Sequence, residues 1–402
     1  MNVSGCGVNR SYEQSENKIG HVFMRNFEVI VLGLGAMGSA IAYHLAAHGS
    51  NVLGLEKFSL NHTNGSSHGG TRIIRTAVFP QTSHVPLVQR AFELWSKLQA
   101  ESGRDLMKLT GALLFGLPES PLITGCKASS REHQLPYHIL SRQEVGNRFP
   151  IFQPDDNEVA FHEKNAGVLF PEECIQAHAS LAEENGATLR FNEPVTRWEV
   201  RNGRVEVRTD TETYLADYAV FSPGAWLPSV VPELELPLQI ERQTVFWFTP
   251  QQDQEQFTPN EMPAFDWQLK DGRFYYGTPN FGSGVKVALH HGGELTTPDK
   301  IRRQVTEDDE TPVKQFLRQH ISSLDSPPVS SATCMYTNTP DDNFIIDFHP
   351  SHSNIVLVSA CSGHGFKFSS AIGEVVQQMV QRGDTDLDIS QFKADRFRGE
   401  IS

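Results

Sequence analysis

The sequence predicts an α/β protein in which a dinucleotide-binding unit is interrupted by a unit built on an antiparallel sheet. Three observations predict it. A strand, a glycine-rich turn, a helix and a second strand follow one another near the start. The middle of the chain changes to a period of two, and a buried strand leads into an apolar-striped helix near the end.

Phe27–Leu32 is apolar except for Glu28, as expected of a parallel strand buried on both faces. It runs into Gly33-Leu34-Gly35-Ala36-Met37-Gly38 and then a helical segment reaching His48, with Ala42, Leu45 and Ala46 along it. Gly49 follows, where a left-handed residue ends a helix. Asn51–Leu55 is the second strand, ending at Glu56. In this setting Gly33 permits the tight turn, Gly35 lets the backbone approach a pyrophosphate, and Gly38 lets helix and strand pack closely. The helix N-terminus offers its free N–H groups to phosphate. Glu56, 21 positions after Gly35, suits a ribose hydroxyl and disfavours a 2′-phosphate. The unit is therefore Rossmann-like, and the motif alone leaves NAD and FAD both open.

Pro86 opens an amphipathic helix with Leu87, Ala91, Leu94, Trp95 and Leu98 on one face. From about 236 to 289, Leu238 and Ile240 alternate with Gln239 and Glu241, and Val285, Val287 and Leu289 alternate with Lys286, Ala288 and His290. That pattern predicts an antiparallel sheet with one buried face, and by itself it gives the face of Lys286 and His290 to solvent. Residues 296–321 are charged and predicted helical. Ile355–Ala360 is a further buried strand, passing through Ser362-Gly363-His364-Gly365 into a helix striped by Ile372, Val375, Val376, Met379 and Val380 and stopped at Gly383. Lys367 falls in the first turn of that helix, where the dipole disfavours a cation by about 0.3–1 kcal/mol. With the N–H groups of Gly363 and Gly365 beside it, the position suits an anion or an electron-rich carbonyl. Arg72 and Arg75 lie in one glycine-bordered segment, and an arginine fork is well shaped to take a carboxylate bidentately.

The chain has 402 residues and a net charge of −14, enough length for two or three folding units and the wrong sign for nonspecific binding to nucleic acid or anionic membrane. No apolar run is long enough to cross a bilayer. The five cysteines form no CxxC pair, which points to a reduced, cytoplasmic setting. Residues 1–25 are polar, lack the apolar run of a signal peptide and are expected to be a disordered extension; Met24 is an alternative start. The terminal Gly399-Glu400-Ile401-Ser402 is no Ser-Lys-Leu-type address. His62, His68 and His84 have no metal-ligand spacing, so no metal is expected, and no GxSxG, Walker A or HExxH motif occurs.

Several separated segments together are more specific. They are the Gly33–Gly38 fingerprint, the run from His62 to Arg75 (HTNGSSHGGTRIIR), the run from Cys334 to Asp347 (CMYTNTPDDNFIID) and Ser362-Gly363-His364-Gly365-Phe366-Lys367-Phe368. In these the chain resembles the monomeric sarcosine oxidase and N-methyltryptophan oxidase family of flavin-dependent amine oxidases, from about Phe27 to the C-terminus. The resemblance implies FAD rather than NAD, with Cys334 joined to the flavin by a thioether. It implies a Rossmann-like FAD-binding domain at 27–110, 150–235 and 328–390, and an antiparallel-sheet substrate domain at 111–149 and 236–327. Arg75 and Lys367 resemble the pair that grips a substrate carboxylate, Lys286 the lysine that assists oxygen reduction, and Tyr276 and His290 residues on the substrate side. His68 and Arg72 match residues beside the flavin, and Ala36, Met37, Thr71, Val195 and Phe366 are implied as further cofactor contacts. Ser67 and Gly70 depart from the family's usual histidine and aspartate. The implied reaction oxidises a secondary (N-methyl) α-amino acid to an imine, which hydrolyses to an aldehyde and a primary amino acid while O₂ becomes H₂O₂. N-methyltryptophan, pipecolate or another secondary amino acid are alternative substrates, and a dehydrogenase passing electrons to a carrier is an alternative activity. The resemblance also suggests a monomer.

Overall fold

The computed structural model describes residue 1 and residues 25–397. Residues 2–24 of the expected N-terminal extension, with Cys6 and Met24, and the terminal residues 399–402 lie outside them. The first strand, Arg25–Leu32, begins two residues before the expected start and is followed by the helix Ala36–Ala47 and the strand Val52–Leu55. These strands enter an eight-stranded sheet, in which Arg25–Leu32 pairs in parallel with Val52–Leu55 on one side and Thr213–Phe221 on the other. Thr213–Phe221 also takes His352–Ser359 in parallel, so the last βα segment returns to the first sheet. Alternation then sorts the side chains. Val29 and Val31 join Ile41, Leu45 and Val376 in one core, whereas Ile30 and Leu32 join Phe221 and Leu357 in another. Both faces are covered, which is why these strands read as unbroken apolar runs.

The second sheet has nine strands and is mostly antiparallel. Its centre is Gln239–Phe248, Val285–His290, Phe274–Thr278 and Ala264–Gln268, in that order. One face carries Phe246, Phe248, Phe265, Trp267, Tyr275, Val285 and Val287 against Phe316 and Leu317 of the helix Glu307–His320. The opposite face is not solvent. Lys286 is 1% exposed and Glu241 5%, and Gln243, Tyr276, Thr278 and His290 of this polar face line a cavity. The expectation of one buried face fails for that reason.

Two further differences concern boundaries. The helix expected over 296–321 is confined to Glu307–His320, since the Asp309 carboxylate accepts the Thr306 N–H at 2.8 Å and fixes its start there. The segment before it stays irregular, with Arg303 donating to the carbonyls of Thr63 and Asn64. Val159–Glu163 and Ser330–Asn338, expected with the nucleotide-binding segments, hydrogen-bond instead into the nine-stranded sheet. Ser330–Asn338 pairs along its whole length with Gln239–Phe248, with Cys334 opposite Gln243. Among the described residues no helix is long and apolar enough to cross a membrane.

Candidate active site

The two sheets face each other across a cavity of about 910 Å³, within the range of small-molecule and cofactor sites. Its floor is the glycine turn. Gly33 has φ +82°, and a Cβ there would lie 2.6 Å from the Ser222 carbonyl oxygen. A Cβ on Gly38 would lie 1.7 Å from the Gly33 carbonyl oxygen, so Gly38 acts in packing and does not itself line the cavity. Gly35, Ala36 and Met37 do line it, and the first turn of their helix holds no acid. Glu56 ends the second strand inside the cavity, its carboxylate accepting the Leu34 N–H at 2.8 Å and the Phe58 N–H at 3.0 Å. Val195 also lines the cavity.

The loop from His62 to Arg75 forms one wall. Arg72 is turned onto its own loop, donating to the carbonyls of Ser66, His68 and Thr71, and one of its nitrogens lies 3.9 Å from the Cys334 sulfur. It therefore braces the wall instead of presenting a fork. Ser67 accepts the Ala36 N–H at 3.2 Å. The N–H groups of Gly69 and Gly70 both donate to Glu172, so a carboxylate reaches this loop from the helix Pro171–Glu184. Burial and the neighbouring Arg72 hold the His68 imidazole down at about 4, and its Nε2 has no partner at the cavity edge.

The second sheet forms the roof. Register places Asp266 opposite Tyr276, and Thr278 opposite Lys286, on its cavity side. Lys286 lies one layer behind the cavity lining: its ammonium donates to the carbonyls of Gly69 at 2.9 Å and Thr71 at 2.8 Å. Burial, then Arg72, pushes that ammonium well below the usual lysine range. His290 Nδ1 lies 3.0 Å from the Tyr336 hydroxyl. Burial pushes the Tyr276 phenol up to about 12. Cys334 is buried beside Ser66, its thiol 3.7 Å from that carbonyl.

The strand His352–Ser359 delivers the last wall. Gly363 has φ +71°, and a Cβ there would lie 2.6 Å from His290 and 2.8 Å from Tyr336. The Gly365 N–H is not free for a ligand, because it donates to the Cys361 carbonyl at 2.8 Å. Phe366 lines the cavity. Lys367 lies in a 3₁₀ turn, Phe366–Phe368, before the helix Ser369–Arg382 and not in that helix's first turn. Its ammonium donates to the His364 carbonyl at 2.7 Å, and burial followed by Arg75 lowers it to about 7.

Arg75 differs most from expectation. Its Nε donates to Asp266 at 3.0 Å and one terminal nitrogen donates to the Ala77 carbonyl, so the full fork is not open to a carboxylate. Burial pushes the Asp266 carboxyl up while Arg75 opposes it. Asp266 and Tyr336 escaped the sequence reading as site residues. An acid standing between Phe265 and Trp267 in a strand was the available signal for the first, and the spacing of two from Cys334 for the second.

The cavity thus brings together every anticipated residue except Gly38 and Lys286, which stand directly behind it. Its glycine cradle, ribose-side acid, unpartnered His68 nitrogen and buried Cys334 fit a flavin dinucleotide. Residues 28–379 match the family of FAD dependent oxidoreductases known as DAO. The chain is 41% identical over 376 residues to monomeric sarcosine oxidase of Streptomyces avermitilis, covering 92% of this chain and 98% of that protein. It is 34% identical over 375 residues to N-methyl-L-tryptophan oxidase of Yersinia pestis (strain Pestoides F), covering 93% and 100%. Solved structures of similar fold include L-proline dehydrogenase from P. horikoshii, with TM-score 0.82, 22% identity and coverage of 93% and 98%. Another is NikD, an amino acid oxidase of nikkomycin biosynthesis, with TM-score 0.80, 24% identity and coverage of 92% and 98%.

Proposed function

Because the chain belongs to the FAD-dependent oxidoreductase family, in its sarcosine oxidase and N-methyltryptophan oxidase group, we propose that it oxidises secondary (N-methyl) α-amino acids, with sarcosine the first substrate to test. The observation that carries this reading is the arrangement in one cavity of a dinucleotide cradle, a buried thiol and two cations. Gly33, Gly35, Ala36 and Glu56 line it together with Cys334, Arg75 and Lys367.

FAD, when bound, supplies the two-electron acceptor for the carbon beside nitrogen and the link to O₂, with H₂O₂ as the second product. The glycine turn and the helix start at Ala36 hold the pyrophosphate, Glu56 the ribose and Cys334 the covalent bond. Lys367, released from the His364 carbonyl, pairs with the substrate carboxylate, and the uncommitted N–H groups of Arg75 add to its grip. Tyr276 and His290 set the space for the rest of the substrate. The roof and the His62–Arg75 loop exclude water, which favours the neutral amine that oxidation requires. Lys286, when protonated, puts a fixed positive charge beside the site where oxygen becomes reduced. The enzyme is read as a monomer in the cytoplasm, in keeping with the free thiols of Cys126, Cys174, Cys334 and Cys361.

The test is anaerobic bleaching of the purified yellow protein by sarcosine, N-methyltryptophan, pipecolate, proline and glycated amino acids. Sarcosine or another secondary amino acid is expected to bleach it, with one H₂O₂ released per turnover in air. Failure of all five to bleach the flavin would defeat the reading.

A further inference from the structure

The two cations at the substrate end do not face an empty space, since one of their charges is already answered. Asp266, 8% exposed, is the only acid that the nine-stranded sheet contributes to the cavity among the described residues. It projects beside Tyr276, its register partner. One of its oxygens accepts from Arg75 Nε at 3.0 Å, and the other receives no hydrogen bond among the described residues. That oxygen faces the cavity, where the donor that answers it is one a ligand can bring. The guanidinium of Arg75 stays charged and, against the effect of burial, favours the carboxylate form of Asp266.

The charges can be counted. With Lys367 protonated, Arg75 and Lys367 bring two positive charges and Asp266 one negative, so a single substrate carboxylate makes the set neutral. A second carboxylate would leave buried excess negative charge beside Asp266. A cationic or N–H-donating group would instead find its open oxygen, and the extra positive charge of a cation is balanced when Lys367 gives up its proton. Phe79, which the Arg75 guanidinium overlies at 5.8 Å, and Phe274 line this end and weaken screening by water.

We propose that Asp266 selects the charge of the substrate beyond its carboxylate: it admits secondary amino acids whose side chain or N-substituent is cationic or donates hydrogen bonds, and rejects those with a second carboxylate. This rests on the amino-acid oxidase reading above and assigns Asp266 as a specificity-determining residue for it.

Three substrates of nearly equal size test it: N-methyl-L-2,4-diaminobutyrate, N-methyl-L-asparagine and N-methyl-L-aspartate, cationic, neutral and anionic in turn. The flavin-loaded enzyme should show kcat/KM falling in that order, with at least a tenfold gap between the ends. In Asp266→Asn the gap should shrink at least tenfold, while Asp266→Glu keeps the order. An anionic substrate oxidised as well as the cationic one by the unmodified enzyme overturns the proposal even if Asp266→Asn does not fold, and so does an unchanged gap in a folded, yellow Asp266→Asn. If sarcosine and all three substrates leave the flavin unbleached, the failure lies with the oxidase reading. Oxidation of sarcosine without charge discrimination lays it on Asp266 alone.

Discussion

The ammonium of Lys286 lies 2.8 Å from the carbonyl oxygen of Thr71, so a buried cation of the sheet roof is held by the backbone of the facing loop. Thr71 itself lines the cavity and shares a 2.9 Å hydrogen bond with Thr278. Roof and wall are thus joined directly behind the place where oxygen would react.

Lys286→Met should therefore slow reoxidation of the reduced enzyme by O₂ by about 100-fold, the scale of removing one preorganised electrostatic group. Anaerobic reduction by substrate should change far less. Burial lowers this lysine, so the oxygen reaction of the unmodified enzyme should weaken as pH rises through a value below that of an ordinary lysine. Stopped-flow measurement of both half-reactions decides the matter, and equal slowing of the two would remove Lys286 from the oxygen step.

Cys334→Ser should yield protein whose flavin is lost on acid precipitation, whereas the unmodified protein should keep its colour in the pellet. The buried position of the thiol inside the cavity motivates this. Colour retained in the serine pellet would move the attachment elsewhere.

Lys367 has its ammonium lowered to about 7. Below that pH it carries a proton and attracts a carboxylate; above it the charge is lost. The dissociation constant of acetate, which has no amine to titrate, should rise above pH 7 by up to about tenfold per pH unit. Lys367→Gln should bind acetate more weakly at low pH and show a flatter dependence. Calorimetry on both proteins from pH 6 to 9 checks this, and identical pH slopes would refute the assignment.

Gly38→Ala places a methyl group where 1.7 Å separates it from the Gly33 carbonyl. Overpacking of this kind costs about 1–3 kcal/mol or more. The variant should melt earlier and bind FAD more weakly, because the displaced atom belongs to the cradle itself. Gly49→Ala, with nothing near its Cβ, tests the backbone term alone. Its φ of +85° should make it cost about 1–2 kcal/mol. Equal melting temperatures for Gly38→Ala and the unmodified protein would refute the packing role.

The nucleotide cradle was legible because each glycine answers to a local constraint: a positive φ at Gly33, a packed approach at Gly38 and a helix end at Gly49. The apolar stripe of Ile372, Val375, Val376 and Met379 was legible for the same reason, since helical spacing decides what is buried. The polar face of Lys286 and His290 was not. Period two separates the faces of a strand but cannot distinguish solvent from a cavity beyond, and only the resemblance pointed inward. The company of Arg75 was hidden as well. Asp266 is 191 positions away in sequence, and nothing local joins a loop arginine to an acid between two aromatic residues. Lys367 was misplaced by one element because a 3₁₀ turn merges into the helix that follows it.

The strand that carries Cys334 belongs by its pairing to the nine-stranded sheet, while the Gly33–Gly38 turn belongs to the other. A cofactor bonded at the one and cradled at the other would act as a rivet through both layers. Any hinge motion between the sheets would have to carry that rivet with it. Loss of the thioether would then do more than free a cofactor: it would leave the loop contacts, Lys286 to Thr71 among them, to hold the two sheets in register across the cavity.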